Sequence, residues 1–349
     1  MRVWLLVDPE IPVPPRLYGG IERVVDLLAR ALDRRGHRVT VFAHPDSTVP
    51  CERVAWPGHS SGSSAATLAN ARALLARLAG ECREELVVHS FARLAYLAPL
   101  LPRDIATVQT YERRITPRSV WLGHLLSRGR LQLTACSGSC AASGDVVGRW
   151  HVVYNNVELE KYDFREVSDN APLMFLGRVE RIKGPQHAIE VARRTGRRLV
   201  LAGNLPEHGP DVEWAQALVR DAAPHVDYVG PVDDARKNAL LGEAAALLMP
   251  IDWEEPFGIV MAEALACGTP VLGFRRGSVP EVVEHGRTGF VCEDVEAMVR
   301  AVARIPEISR ATCRASAERR FGADVIAADY EAVYRAALAA HDARAGGMV

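Results

Sequence analysis

Short runs rich in Val, Leu and Ala alternate with longer amphipathic stretches through almost the whole chain, and this alternation constrains the fold more than any other feature. A parallel strand covered on both faces reads as an unbroken apolar run, and joining two such strands takes a crossover, usually a helix. The pattern therefore predicts repeated βαβ units around parallel sheets. In the first half the strand candidates are Arg2–Val7, Arg38–Ala43, Leu86–Ser90, Ala106–Thr110 and Leu131–Cys136. Between the first two, Gly20–Arg35 places Ile21, Val24, Val25, Leu28 and Leu32 on one helical stripe, and Gly36 stops it.

A second series runs through Leu173–Leu176, Leu199–Ala202, Val226–Val229, Ala246–Met249 and Val271–Phe274. The highly charged segment Glu158–Asn170 separates the two, which sets a boundary near residue 165. A length of 349 residues suits two domains. The expected fold is α/β: two Rossmann-like, doubly wound parallel-sheet domains, 1–165 and 166–325, followed by a closing helix, 326–349, that crosses back toward the first. That helix begins near Ala323 and carries Val325, Ile326, Tyr330, Val333, Tyr334 and Leu338 at helical spacing. Doubly wound domains bind ligands at the carboxyl ends of their strands, so two of them facing one another would enclose a cleft.

Charge narrows the partners. The net charge is −1, which gives no basic field for nucleic acid. Residues 1–165 hold 21 basic and 16 acidic side chains, a net of +5, and residues 166–349 hold 21 and 27, a net of −6. The seven cysteines are odd in number and scattered, as in a reducing cytoplasm, and Cys136 and Cys140 read as small buried hydrophobes. The opening MRVWLLVDPE is too short for a secretory leader, and no apolar run reaches the ~18 residues of a membrane span. A cytoplasmic location follows as an expectation.

The densest chemistry lies in Asp252–Val271, where a strand, a polar loop and a helix follow one another. A helix opening at Phe257 or Gly258 would present the N–H groups of Phe257, Gly258 and Ile259 to an anion such as a phosphate. Glu255 and Glu263 are eight residues apart, about 12 Å on an α-helix. That is too far for a carboxylate pair acting on one bond, which needs roughly 5–9.5 Å. It suits a ligand stretched along the helix with hydroxyls at each end and phosphates between; two solvated glutamates on a surface helix would give the same spacing.

A second cluster, Phe175–Gly184, delivers Gly177, Arg178 and Lys183 to a strand end. Only three of the 42 basic residues are lysines. A point charge beside a planar guanidinium could neutralise a diphosphate; an ordinary basic loop is the alternative. In Tyr18–Val25, Gly19 and Gly20 open the first helix without the dinucleotide fingerprint. His89 ends a strand and is expected to face the cleft, as are Gly203, Asn204, Gly230 and Glu281.

Together these stretches resemble the family 4 glycosyltransferases, retaining enzymes of the GT-B fold that use nucleotide sugars. The resemblance runs from YGGIERVVDLLARALDRRGHRVTVFA through VVYNNVE and GRVERIKG to EEPFGIVMAEALACGTPVLGFRRGSVPEVVEHGRTGFV. It implies that Arg178 and Lys183 hold the donor diphosphate and that Glu255 binds donor-sugar hydroxyls, with the amides of Phe257 and Gly258 on sugar and phosphate. Glu263 would bind the ribose, Gly19 and Gly20 would let a loop close over the phosphates, and His89 would sit near the anomeric carbon. It implies no metal and no other cofactor. The chain departs from the family pattern at Asn155-Asn156, where Asn-Gly is usual, and at Tyr111 and Glu112, where a histidine is usual.

The expected activity is transfer from a nucleoside diphosphate sugar, UDP-linked by preference, to the hydroxyl of a small soluble natural-product or saccharide acceptor. A nucleotide-sugar 2-epimerase of the same architecture and a silent sugar-nucleotide-binding protein are the alternatives. Within residues 112–130, Arg113, Arg114, Arg118, Arg128 and Arg130 accompany Trp121, Leu122, Leu125 and Leu126. This stretch could meet an anionic acceptor or a membrane surface, although the preferred reading turns its apolar side into the core.

Overall fold

The computed structural model describes all residues except 16–18, 114, 145–146, 169, 223 and 346–349, so Tyr18 of the glycine turn and Arg114 of the basic stretch lie outside the described residues. The chain forms two compact units, Met1–Asn156 with Ala323–Val349, and Val157–Gly322.

Among the described residues the first unit is built on seven parallel strands: β1 (Arg2–Leu6), β2 (Arg38–Ala43), β3 (Glu52–Ala55), β4 (Leu86–Ser90), β5 (Ala106–Tyr111), β6 (Gln132–Ala135) and β7 (Arg149–Val152). They lie in the order β3-β2-β1-β4-β5-β6-β7. The five central strands are those anticipated from apolar runs. Edge strands β3 and β7 have no buried side chain, so they lack the apolar run that betrays a covered strand. The helix Gly20–Arg34 buries Val24, Val25, Leu28 and Leu32, and ends in a turn where Gly36 donates to the Asp33 carbonyl and His37 to that of Leu32.

The closing helix, Ala323–Ala345, belongs to this unit and packs on Gly20–Arg34 and on β4, β5 and β6. Ile326, Tyr330, Val333 and Tyr334 are buried, whereas Val325 is exposed. Glu331 latches it: Arg35 Nε donates to Oε1 at 2.5 Å and His37 Nε2 lies 3.0 Å away. The hydrogen bond from Arg35, with that from His37, holds the Glu331 carboxyl down at about 2.

The second unit has six parallel strands among the described residues: β8 (Leu173–Leu176), β9 (Leu199–Ala202), β10 (Val226–Gly230), β11 (Ala246–Met249), β12 (Val271–Phe274) and β13 (Gly289–Cys292). Their order is β10-β9-β8-β11-β12-β13. Its two ends are tied together, since Val157 N donates to the Phe321 carbonyl at 2.8 Å and Val157 pairs with Gly322. The division therefore falls at Asn156/Val157, ahead of the charged segment. Residues after it are anchored inside the second unit: Tyr162 is buried and bonded to Glu263, and the Arg165 carbonyl accepts from Arg310 at 2.7 Å. Hydrophilic composition marked an approach to the boundary, and pairing fixed it.

Candidate functional site

In a doubly wound sheet the crevice opens where the strand order reverses, at the carboxyl ends of the strands on either side. In the second unit that place lies between β8 and β11. The loop after β8 carries Lys183, and the loop after β11 carries Trp253 and Glu255. The two loops touch: Asp252 N donates to the Ile182 carbonyl at 2.9 Å. Gly184, at φ +78°, presses so closely on them that a Cβ there would lie 1.8 Å from the Pro250 carbonyl oxygen. Any side chain at 184 would push the loops apart.

Lys183 Nζ donates to Glu255 Oε2 at 2.6 Å, and Trp253 Nε1 donates to the same oxygen at 2.9 Å. The ammonium also sits 4.5 Å from the centroid of the Trp253 ring. Both charged side chains are mostly covered, with 17% and 11% of their surface exposed. A third loop braces Glu255 from the β12 side. Ser278 N donates to the Glu255 carbonyl at 3.0 Å, and Ser278 Oγ to the Phe257 carbonyl at 2.7 Å.

The helix after this loop runs from Ile259 to Ala266, with Gly258 as its left-handed cap at φ 70°. It begins later than Phe257, so Glu255 stands outside it and a continuous helical rise does not describe the interval to Glu263. Its amino end points backbone N–H groups and a partial positive charge out of the element. Phe257 contributes its backbone here, because its ring is buried against Phe321 at 5.7 Å. Glu263 repeats the arrangement at Glu255. Lys237 Nζ and Tyr162 OH each donate to Oε1 at 2.6 Å, and the ammonium lies 5.6 Å from the Tyr162 ring centroid. Burial, reinforced by the Glu263 charge, pushes the Tyr162 phenol far up, so it stays a donor.

The remaining strand ends adjoin one another. Gly177 N donates to the Ala202 carbonyl at 3.0 Å, Val179 N to the Asn204 carbonyl at 2.9 Å, and Gly203 N to the Gly230 carbonyl at 2.9 Å. Gly203 lies against Gly177, where a Cβ would stand 1.8 Å from the carbonyl oxygen. Arg178 is half exposed and pairs with Glu180 Oε1 at 2.8 Å. Glu281 is half-buried on the short helix Val279–Val282 after β12.

The first unit reverses its strand order between β1 and β4. Around it lie Asp8, Glu22, Glu112 and Arg113, with Arg113 Nη2 3.3 Å from Asp8 Oδ2. The first helix opens at Gly19, and a Cβ there would be 2.8 Å from Glu22 Oε2. Burial raises Glu22 and Asp8 above the ordinary carboxyl range, and burial raises Glu112 to about 7. Asn155 Nδ2 donates to Glu112 Oε2 at 2.8 Å. Four buried oxygens in this region, Asp8 Oδ1, Gln109 Oε1, Glu112 Oε1 and Asn155 Oδ1, accept no hydrogen bond among the described residues.

His89 corrects the sequence expectation. It ends β4 as anticipated, yet its side chain is completely buried. Nδ1 is 2.8 Å from Tyr334 OH and Nε2 is 2.6 Å from Thr110 Oγ1, while Phe91 and Tyr330 pack on its ring at 4.3 and 4.9 Å. Burial lowers its pKa to about 3. The closing helix has claimed it as a core residue, so it does not reach ligand space within its unit. Sequence reasoning also missed Tyr162, Lys237 and Trp253, which hold the two glutamates. The scarcity of lysine that singled out Lys183 applied equally to Lys237.

Residues 158–320 match the model of the glycosyl transferases group 1, and residues 18–161 match that of Glycosyltransferase Family 4. A glycogen synthase of Mycobacterium tuberculosis is 30% identical over 91% of this chain and 90% of its own length. A D-inositol 3-phosphate glycosyltransferase of Pseudarthrobacter chlorophenolicus is 35% identical over 35% of this chain and 30% of its own. Among solved structures, AviGT4, a glycosyltransferase involved in avilamycin A biosynthesis, aligns with a TM-score of 0.73 at 26% identity over 97% of this chain and 98% of its own. HepE of Anabaena, solved with UDP and glucose, shares the fold with a TM-score of 0.73 at 19% identity, over 96% of this chain and 99% of its own.

Proposed function

The chain belongs to the family 4 glycosyltransferases, and from that premise we propose that it moves a sugar from a nucleoside diphosphate sugar to an acceptor hydroxyl with retention of anomeric configuration. The observation that carries the reading is the covered Lys183–Glu255 pair at the switch point of the second unit. A donor diphosphate bears more negative charge than one carboxylate. It would draw Lys183 away and free Glu255 to accept hydrogen bonds from the donor sugar. Arg178 and the amino end of Ile259–Ala266 would share the phosphate charge. Glu263, its Oε1 already held by Lys237 and Tyr162, would offer its other oxygen to the ribose.

In the reaction the bond between the anomeric carbon and the diphosphate oxygen breaks while the acceptor oxygen bonds to the same face of that carbon. The acceptor proton passes to the departing phosphate oxygen, giving the glycoside and a nucleoside diphosphate. Fixed cations and dipoles stabilise the leaving group, and electrostatic preorganisation of this kind is the largest single contribution in many enzymes. No metal takes part in this scheme. The UDP and UDP-glucose found with HepE support a UDP-linked donor. The orphaned oxygens at Asp8, Gln109, Glu112 and Asn155 support an acceptor rich in hydroxyl donors, and the resemblance to AviGT4 supports a small natural-product or saccharide acceptor. The seven free thiols support a cytoplasmic location.

The test is mass spectrometry of a panel of nucleotide sugars, with and without hydroxylated acceptors and with and without a chelator. Glycoside formation with retention, unaffected by chelation, is expected. Transfer within a few-fold of wild type in the Arg178→Ala/Lys183→Ala double variant would overturn the assignment, and a changed sugar configuration in the absence of acceptor would replace it with epimerisation.

A further inference from the structure

The helix Pro117–Leu126 turns its apolar side outward, opposite to the expectation from sequence. Val120 and Gly123 face the body, where a Cβ on Gly123 would already crowd Leu131 and Leu94 at 3.0 and 3.3 Å. Trp121 and Leu125 are each 56% exposed and Leu122 is 45% exposed. Trp121 and Leu125 are one turn apart, Leu122 lies between them, and Arg118 and Arg128 stand at the two ends of this strip. Both arginines are exposed. From Arg113 to Arg130 the sequence contains no acidic residue, and neither Arg118 nor Arg128 has an acidic partner among the described residues.

The strip ends in a second unusual feature. Arg128 sits at φ 53°, a left-handed conformation that residues other than glycine and asparagine seldom adopt. The turn that holds it there, Gly129 N to the His124 carbonyl at 2.9 Å, directs the chain along a cavity of about 450 Å³. Arg128, Arg130 and Arg149 line that cavity together with Ala336, Ala339 and Ala340 of the closing helix. Arg130 pairs with Asp104 at 3.6 Å, but Arg149, like Arg128, has no acidic partner among the described residues. An exposed tryptophan and two leucines flanked by uncompensated arginines match the interface of an anionic bilayer: apolar groups enter the acyl boundary, and cations meet the headgroup phosphates.

We propose that this face of the first unit docks on anionic phospholipid membranes, with Trp121, Leu122 and Leu125 inserted and Arg118, Arg128 and Arg149 on lipid phosphates. The attachment is peripheral, because among the described residues no helix is long and apolar enough to cross a membrane. It does not depend on the transferase chemistry, and none of these side chains belongs to the proposed donor site.

Co-sedimentation of the full chain with phosphatidylcholine vesicles, with and without about 30% phosphatidylglycerol, tests it. Binding to the anionic vesicles only, weakening as salt rises, is expected. The double variant Trp121→Ser/Leu125→Ser should bind about ten-fold or more weakly. Arg118→Gln/Arg128→Gln should lose most of the salt dependence, and both variants should melt and turn over soluble acceptors as the wild type does. Equal binding to neutral and anionic vesicles, no binding at low salt, or unchanged binding of the Trp121/Leu125 variant would overturn the proposal. So would self-association through this face without vesicle binding.

Discussion

The carboxyl ends of the two sheets solve the problem of buried polar groups in opposite ways. In the second unit each key glutamate is held by a lysine and an aromatic donor: Lys183 and Trp253 on Glu255, and Lys237 and Tyr162 on Glu263. In the first unit, one buried oxygen each of Asp8, Gln109, Glu112 and Asn155 has no partner among the described residues, and His89 at the end of β4 is neutral and locked in the core. Paired ions can exchange partners when a more highly charged ligand arrives. Lone amide and carboxyl oxygens take up hydroxyl partners, which is what a polyhydroxyl ligand supplies. One architecture used twice therefore suits two kinds of ligand, through the side chains at its strand ends.

The comparison breaks most readily at Lys183. Lys183→Ala should lower kcat/KM about 100–1,000-fold, the range for deleting one charge-stabilising group. It should also lower the melting temperature, because Glu255 then keeps a covered, uncompensated charge costing about 3–5 kcal/mol. Lys183→Arg should restore part of the stability and less of the rate, since a guanidinium fork does not fit where a point charge sat. A second, smaller effect separates the two glutamates. Tyr162→Phe with Lys237→Met should raise the KM for donor about ten-fold while kcat falls less, because these groups position Glu263 without touching the reacting atoms; equal losses in kcat and kcat/KM would place Glu263 in the chemical step.

His89 gives the sharpest contrast at the least cost to activity. His89→Gln should leave turnover within a few-fold of wild type at pH 7.5, whereas the same loss as Lys183→Ala would return the histidine to the chemistry. Its folded pKa, about 3, lies below the unfolded value of about 6.5. Below pH 6.5 the unfolded chain therefore binds a proton that the folded chain does not. Stability present above that pH is lost toward pH 3, at up to about 1.4 kcal/mol per pH unit. Urea titrations between pH 4 and 7 should show this slope in the wild type and a flatter one in His89→Gln.

Legibility followed burial and charge. All ten strands read from apolar runs are present, with no end shifted by more than one residue, because a strand covered on both faces must be apolar throughout. Three edge strands escaped: β3 and β7 have no buried side chain to report, and β13, although covered throughout, is only four residues long and opens on a glycine. Lys183, Glu255, Gly177, Gly203 and Asn204 were found because chain order alone carries a residue after a strand to the strand's end. Tyr162 and Lys237 were missed because they reach Glu263 across 101 and 26 residues of sequence, and no local pattern records such a meeting.

The sequence by itself determined that this chain forms two doubly wound sheets and which loops stand at their carboxyl ends, since covered strands and amphipathic helices impose periods that a reader can count. Only the tertiary structure decided what those loops contain. A helix that follows the second unit in sequence returned Tyr330 and Tyr334 to the first sheet and buried His89, while Val120 and Gly123 took the inner side of Pro117–Leu126 and left Trp121 outside. Which face of an element is covered depends on what packs against it, and that partner can lie anywhere along the chain.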